Sequence, residues 1–257
     1  MPCLANARTA LANPQGQMTS LRINDIMPQW REQRVTYGVG KPRGHEDQAR
    51  RVLNVIVATL GLVVSAPLMM VIAVLIKLTS RGPVLYRQTR VGLDRRAPGS
   101  EGGNHRRTAD VGGRPFTIYK FRTMAASQTL DTRQVWAAQG DARVTQMGRV
   151  LRQFRLDELP QLINVLKGDM NVVGPRPEQP RIFADLRTQV HKYAERQRVR
   201  PGITGWAQIN HHYDESVEDV RRKVTFDLEY IARQSLSQDL KIMLLTAPTV
   251  VLRKGGW

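Results

Sequence analysis

Residues Val52 to Ile76 read VLNVIVATLGLVVSAPLMMVIAVLI, without one charged side chain. Fully helical, the run would be about 37 Å long, enough to cross the hydrocarbon core of a bilayer. Pro67 stands near its middle, where it removes a helix hydrogen bond and crowds the preceding turn, and Gly61 and Ser65 loosen that turn further. Arg50 and Arg51 flank one end, while Lys77, Arg81, Arg87 and Arg90 follow the other. Basic residues favour the cytoplasmic side of a membrane. A segment that enters the bilayer, breaks at Ala66-Pro67 with Ser65 beside it, and returns to the same face satisfies both flanks. On these features alone an ordinary Pro-kinked transmembrane helix, or a buried core helix of a soluble protein, stays open as an alternative.

Outward from this segment, the chain of 257 residues is long enough for one substantial core with tails. Its formal charge of +17 calls for a partner rich in negative charge: nucleic acid, an anionic bilayer surface or phosphorylated substrates. The single cysteine, Cys3, excludes a disulfide framework and a thiolate zinc cluster. Residues 1–48 lack the apolar stretch of a secretory signal and read as a partly disordered tail, in which Met18 to Trp30 could form a short amphipathic piece.

Downstream, Pro83 to Gln88 and Phe116 to Phe121 alternate apolar and polar residues as short half-buried strands do. Asp94 to Arg114, rich in Gly, Arg and Asp, reads as a flexible excursion between them, with His105, Arg106 and Arg107 solvated. Val144, Met147, Val150, Leu151 and Phe154 recur at helical spacing, as do Leu159, Leu162, Ile163 and Leu166, which predicts two helices joined near Asp157. Ser216 and Asp219 resemble a capping pair ahead of a long helix faced by Val217, Val220, Val224, Leu228 and Ile231. Ile242 to Leu252 is too short to span and fits either a helix at the membrane interface or a core helix.

Acidic pairs, arginines and rigid Pro/Gly loops concentrate between Arg149 and Gly205. Asp157 and Glu158 stand at the expected start of a helix, where the dipole and free N–H groups hold a carboxylate ionised and attract phosphate. That suits a nucleophile aimed at phosphorus, and adjacent carboxylates can share a hard cation such as Mg2+. The plain alternative is that Asp157 caps the helix and Glu158 is solvated. Arg149, Arg152 and Arg155 lie nearby in sequence. Arg176 lies between two prolines in GPRPE and Arg200 precedes Pro201 in RPGITG, so rigid loops present guanidinium forks of the kind that bind phosphate bidentately. His211 and His212 lack partners for a zinc set, and neither GxGxxG, a Walker loop nor GxSxG occurs.

The runs GPVLYRQTRVG (residues 82–92), FTIYKFRTM (116–124), LRQFRLDELPQLINVLKGDMNVVGPRPE (151–178) and RVRPGITGWAQIN (198–210) resemble the bacterial sugar transferase family, the monotopic polyprenyl-phosphate phosphoglycosyltransferases. The likeness runs from Ala49 to Trp257. It implies an α+β, mostly helical monotopic membrane protein: one re-entrant helix-break-helix over about residues 50–78 and a small cytoplasmic globular domain with a short β-hairpin. Within residues 49–257 it implies a catalytic region at 143–210 and C-terminal interfacial helices at 216–254. It further implies Mg2+ and transfer of a phosphosugar from a UDP-sugar to undecaprenyl phosphate at the cytoplasmic face of a bacterial inner membrane, releasing UMP, as the first membrane step of exopolysaccharide, capsule, O-antigen or glycoprotein glycan assembly.

Carried over by motif, Asp157 is the nucleophile that takes up the phosphosugar, and Glu158 is its partner at the metal. Arg152, Arg176 and Arg200 would hold phosphates or the nucleotide, and Lys120 and Arg122 would face lipid headgroups or the rim of the site. Anionic lipids are expected partners, nucleic acid is not, and homodimerisation is left open. Three departures stand out. Asn54 and Ala66 occupy positions where the family commonly has Asp and Ser; the excursion over residues 94–114 is long; and the chain reads as the short form, without the extra membrane helices and domain of larger relatives. A transferase with another nucleotide sugar, or a single-pass protein whose basic domain binds nucleic acid or anionic lipid without catalysis, remains the competing reading.

Overall fold

The structure is a computed structural model, and it describes residues 44–95, 112–125, 141, 143–211 and 216–251. The expected tail before residue 44, most of the excursion over 94–114, and His212 lie outside the described residues.

The long apolar run forms helix α1, Gly44–Thr79, of 36 residues. Glu46 and Asp47 in its first turn and Lys77 in its last complement the helix dipole. Helical structure continues through Ala66 and Pro67, so the expected helix-break-helix is, in backbone hydrogen bonding, one helix with a proline inside it. Proline removes a single N–H, and Ser65 Oγ donates to the Gly61 carbonyl at 2.6 Å, a back-bond of the kind that bends helices without ending them.

One face of α1 packs on the globular body along both halves. Asn54 and Ala58 are buried before Pro67 and Ile72 and Ile76 after it, while Gly61 lies against Leu162. The opposite face leaves Val64 80% and Leu78 77% exposed, with Val63, Met70 and Val74 beside them. A core helix of a soluble protein would bury such side chains, so that alternative fails. By length and composition α1 alone among the described helices is apolar enough to cross a membrane.

Two polar anchors hold the first half of α1 to the body. Arg50 donates to Asp239 Oδ2 at 2.8 Å and to Tyr230 Oη at 3.0 Å, all three groups being buried. Asn54, also buried, donates to the Arg50 carbonyl at 2.7 Å and accepts from the Val172 N–H at 2.6 Å.

Strands β1 (Leu85–Val91) and β2 (Pro115–Phe121) form the expected antiparallel hairpin, β1 running three residues further than its alternation suggested. The register pairs Tyr86 with Lys120 and Arg90 with Phe116, which puts Arg90, Ile118 and Lys120 on one face. On the far edge of β2, Asn164 donates to the Thr117 carbonyl at 2.7 Å and accepts from the Tyr119 N–H at 3.1 Å, closing an edge that would otherwise stay unpaired.

A second sheet, which the sequence reading did not foresee, pairs β3 (Asn171–Val173) with β4 (Gly202–Thr204) in parallel. Beyond β3, the Gly174 N–H donates to the Thr204 carbonyl and the Gly202 N–H to the Pro175 carbonyl, both at 2.9 Å. A Cβ at Gly202 would collide with the Gly174 amide, so glycine is required where the GPRPE and RPGITG loops run backbone to backbone.

Helices α2 (Gln146–Gln153), α3 (Gln161–Lys167), α4 (Pro180–Gln189) and α5 (Trp206–Asn210) follow one another around these sheets. Helix α6 (Val217–Ala232) carries the expected capping box of Ser216 and Asp219 and buries Val220, Val224 and Leu228. Helix α7 (Leu236–Val251) divides its faces: Asp239 and Ile242 are fully buried, whereas Leu244 is 75% exposed. The buried face of α7 packs as a core helix does.

Candidate active site

The chain leaves α2 through Arg155, a non-glycine residue in the left-handed region at φ 54°, and enters a 3-10 turn over Leu156–Glu158. Such a conformation costs energy, and strain of this kind collects where side-chain direction matters. Pro160 then caps α3. Asp157 and Glu158 thus stand in a turn ahead of α3 and not in its first turn, which corrects the expectation that a helix N-terminus holds them ionised. Their field comes from side chains instead.

Both carboxylates are buried, at 8% and 7% exposure, yet their surroundings differ. Glu158 Oε1 receives Lys120 Nζ and Arg176 Nη2, each at 2.7 Å. Burial alone would raise its pKa, but Arg176 and Lys120 outweigh that and hold it well below the ordinary carboxylate range. Asp157 accepts no hydrogen bond from the described residues. Burial pushes its pKa up; Lys120, Arg176 and Arg152 oppose that, and Glu158 adds to it. Burial likewise lowers the Lys120 pKa, against the pull of Glu158. One carboxylate is a fixed anion clamped between two cations, and its neighbour is left with unengaged oxygens.

Arg176 is held from behind. Arg196, fully buried, donates to the Arg176 carbonyl at 3.1 Å and to Asp227 Oδ2 at 2.6 Å. Two residues further on, Glu178 Oε1 accepts from Lys223 Nζ at 2.9 Å, and Arg90 donates to the Pro177 carbonyl at 3.0 Å. The GPRPE loop is thereby fixed by α6 on one side and β1 on the other.

The residues expected at the site divide into two groups. Lys120, Asp157, Glu158 and Arg176 come together, with Arg152 close enough for its charge to act on Asp157 while its Nε donates to Thr123 Oγ1 at 3.0 Å. Lys120, expected to face lipid headgroups or the rim of the site, pairs directly with Glu158 inside it. Arg122 does neither of the things expected of it: it is buried and donates to the Ser80 and Arg81 carbonyls, each at 2.8 Å, fastening the end of α1 to β2. Arg200 donates to the Gly168 carbonyl at 3.1 Å, at the opposite end of α3 from the carboxylates, and its electrostatic neighbours are Arg51, Arg95, Asp47 and Arg50.

A small cavity lies against this cluster, lined by Arg90, Ile118, Lys120, Gln161, Arg176 and Pro177. Arg90, read from the sequence only as a basic flank of the apolar run, and Gln161 were not expected at the site. Their signals were faint: Arg90 lies on the Lys120 face of the hairpin, and Gln161 follows Asp157 by four residues.

Among the described residues no group of three or more His, Cys, Asp or Glu side chains gathers as a metal cage. The available donors are the Asp157 carboxylate and the free oxygen of Glu158. That set fits a cation which draws most of its ligands from water and substrate phosphate, as Mg2+ does, and does not fit a metal held by protein alone.

A long apolar helix thus packs on a small body that holds a buried Asp-Glu pair among cations. Residues 45–253 match the family model described as bacterial sugar transferase, and the chain belongs to that family of transferases. It is 43% identical over 213 residues to a UDP-glucose:undecaprenyl-phosphate glucose-1-phosphate transferase of Caulobacter vibrioides, covering 82% of this chain and 72% of the relative. It is 41% identical over 207 residues to a UDP-N-acetylgalactosamine-undecaprenyl-phosphate N-acetylgalactosaminephosphotransferase of Aeromonas hydrophila, covering 80% of this chain and 44% of the relative. A UDP-glucose:undecaprenyl-phosphate glucose-1-phosphate transferase of Escherichia coli is 41% identical over 199 residues, with 77% and 39% covered. The match thus spans less than half the length of the last two relatives.

Proposed function

We propose that this chain transfers a sugar phosphate from a UDP-sugar to undecaprenyl phosphate, giving undecaprenyl-diphosphate-sugar and UMP. The observation that carries this reading is the asymmetry of the acidic pair: Asp157 is buried with its oxygens unengaged, beside Glu158 clamped by Lys120 and Arg176. A carboxylate so placed can attack phosphorus, because the cations that surround it also neutralise the approaching phosphates.

In the first step an Asp157 oxygen attacks the β-phosphorus of the UDP-sugar. The bond from that phosphorus to the bridging oxygen breaks, and UMP leaves with the electron pair. The phosphosugar is then held on Asp157 as an acyl phosphate. In the second step an oxygen of undecaprenyl phosphate attacks the same phosphorus and the Asp157 carboxylate departs. Lys120 and Arg176 orient Glu158 and add positive charge along the path of both phosphates. Mg2+, held by Asp157 and the free Glu158 oxygen, would supply further charge neutralisation at the phosphate oxygens.

The acceptor is a lipid, and α1 suits its delivery. The exposed face of α1 would forgo roughly 1.5–3 kcal/mol for each large aliphatic side chain left in water. Because the opposite face packs on the body on both sides of Pro67, we read α1 as lying in one leaflet with both ends on the cytoplasmic side of the inner membrane, a re-entrant path made by bending and not by a break. Basic residues at its ends, including Lys77 and Arg81, would meet anionic headgroups.

The test is incubation of membranes carrying the protein with a panel of radiolabelled UDP-sugars and undecaprenyl phosphate. Label should enter the organic phase with one donor and in proportion to protein. No transfer from any nucleotide sugar would leave a binding protein in place of an enzyme.

A further inference from the structure

Gln161 is 2% exposed, and its Nε2 amide group has no hydrogen-bond partner. It lines the cavity beside the acidic pair. On the same cavity, Arg90 Nε is also buried and without a partner, although the Arg90 Nη groups donate to Pro177 and Gln88. Buried donors left unmet are rare because each forfeits the hydrogen bonds it had in water. Here two of them border one space whose remaining polar lining is Lys120 and Arg176, both committed to Glu158 Oε1. Arg90, Lys120 and Arg176 can only donate, and the Gln161 amide has its Nε2 donor unmet, so the complement these groups lack is an acceptor carrying negative charge.

We infer that Gln161 Nε2 and Arg90 Nε form a cradle for a phosphate oxygen, with Gln161 as its neutral donor. The occupant is a phosphate group, and on the proposed reaction it is the phosphate of the donor that Asp157 attacks; only that last identification rests on the transferase reading. The neutral amide suits the place. Lys120, Arg90 and Arg176 already bring three cations to one small volume, where a further charge would raise the cost of burial, while an amide N–H orients an oxygen without adding charge. The space is small, so the cradle would hold one oxygen while the rest of the phosphate lies outside it.

A structural role and a ligand role for Gln161 have opposite consequences when the amide is removed. Methionine matches glutamine in length and shape but carries no donor. If the amide waits for phosphate, Gln161→Met relieves an unmet polar group, so the variant without ligand should melt at or above the wild-type temperature. It should bind phosphate at least about tenfold more weakly. The experiment is thermal unfolding of the full chain in detergent micelles across a titration of inorganic phosphate. Wild type should gain stability with phosphate, Gln161→Met should need about ten times more for the same gain, and Arg90→Lys, which keeps the charge but loses Nε, should also be weakened. The inference is overturned if phosphate leaves the wild type unmoved, if Gln161→Met responds as wild type does, or if Gln161→Met melts well below wild type. This readout does not involve turnover. A cradle that binds phosphate in a protein inactive toward every UDP-sugar would sink the transferase reading alone, and an active transferase whose Gln161→Met form binds phosphate normally would sink this inference alone.

Discussion

Arg176 Nη2 lies 2.7 Å from Glu158 Oε1, joining the GPRPE loop to the turn that carries the acidic pair. Because Lys120 shares that oxygen, Glu158 is the fixed point against which Asp157 is set. Replacing Glu158 by Gln removes the charge that both cations answer. Turnover should fall by about a hundredfold through misplacement of Asp157 and of the phosphates, with the circular dichroism spectrum unchanged. Arg176→Lys should also lose activity, since a single ammonium cannot reproduce the planar fork that reaches Glu158. Wild-type turnover in either variant would show the pairing to be incidental.

Asn54 joins α1 to β3 through one donated and one accepted bond. An aspartate there could still accept from the Val172 N–H, but its second oxygen would face the Arg50 carbonyl with nothing to donate. Asn54→Asp should therefore cost on the order of 1–3 kcal/mol, seen as a lower melting temperature in micelles. An unchanged melting temperature would mean that the two bonds are not both made.

Glu178 gives the protein an acid limit. Burial opposes its ionisation, but Lys223, Arg196 and Arg90 bring its pKa down to about 2. A group depressed in the folded state stabilises above its unfolded pKa, near 4.5, and that contribution disappears as pH falls toward 2. Its size is about 3 kcal/mol. Unfolding titrations between pH 5 and 2 should show this loss, and Glu178→Gln should be less stable at pH 7 with a flatter acid limb. An equally steep limb in the variant would assign acid sensitivity elsewhere.

The path of α1 is testable by cysteine labelling in a Cys3→Ser background. Single cysteines at Asp47 and Leu78 flank the apolar run, and both should react only from the cytoplasmic side of intact cells or oriented vesicles. Labelling of the two positions from opposite sides would make α1 a transmembrane crossing.

Much of this architecture was legible in the sequence because it rests on local pattern. The charge-free run at Val52 to Ile76, the alternation of FTIYKF, and the Ser216–Asp219 cap each declare an element through neighbouring residues. The parallel pair of β3 and β4 was hidden because three-residue strands such as Asn171–Val173 are too short to show a period. The site was half legible. Asp157, Glu158 and Arg176 stand out by motif, but Lys120 reaches Glu158 across 38 positions and through the register of a hairpin, which local sequence does not reveal. Arg122, expected at lipid headgroups or the rim, and Arg200, expected at phosphate, instead meet carbonyls at the ends of α1 and α3, a matter of tertiary packing. Pro67 promised a break, while the structure keeps the helix and frees only one carbonyl.

On the proposed mechanism, Asp157 carries the phosphosugar between donor and acceptor. Mass spectrometry of the purified protein, incubated with its UDP-sugar and Mg2+ but without lipid acceptor, should find the chain heavier by one phosphosugar. Peptide mapping should locate the adduct at Asp157, and the Asp157→Asn protein should show neither adduct nor transfer. Transfer by Asp157→Asn at the wild-type rate would contradict the account and leave direct attack by the lipid phosphate on the donor in its place.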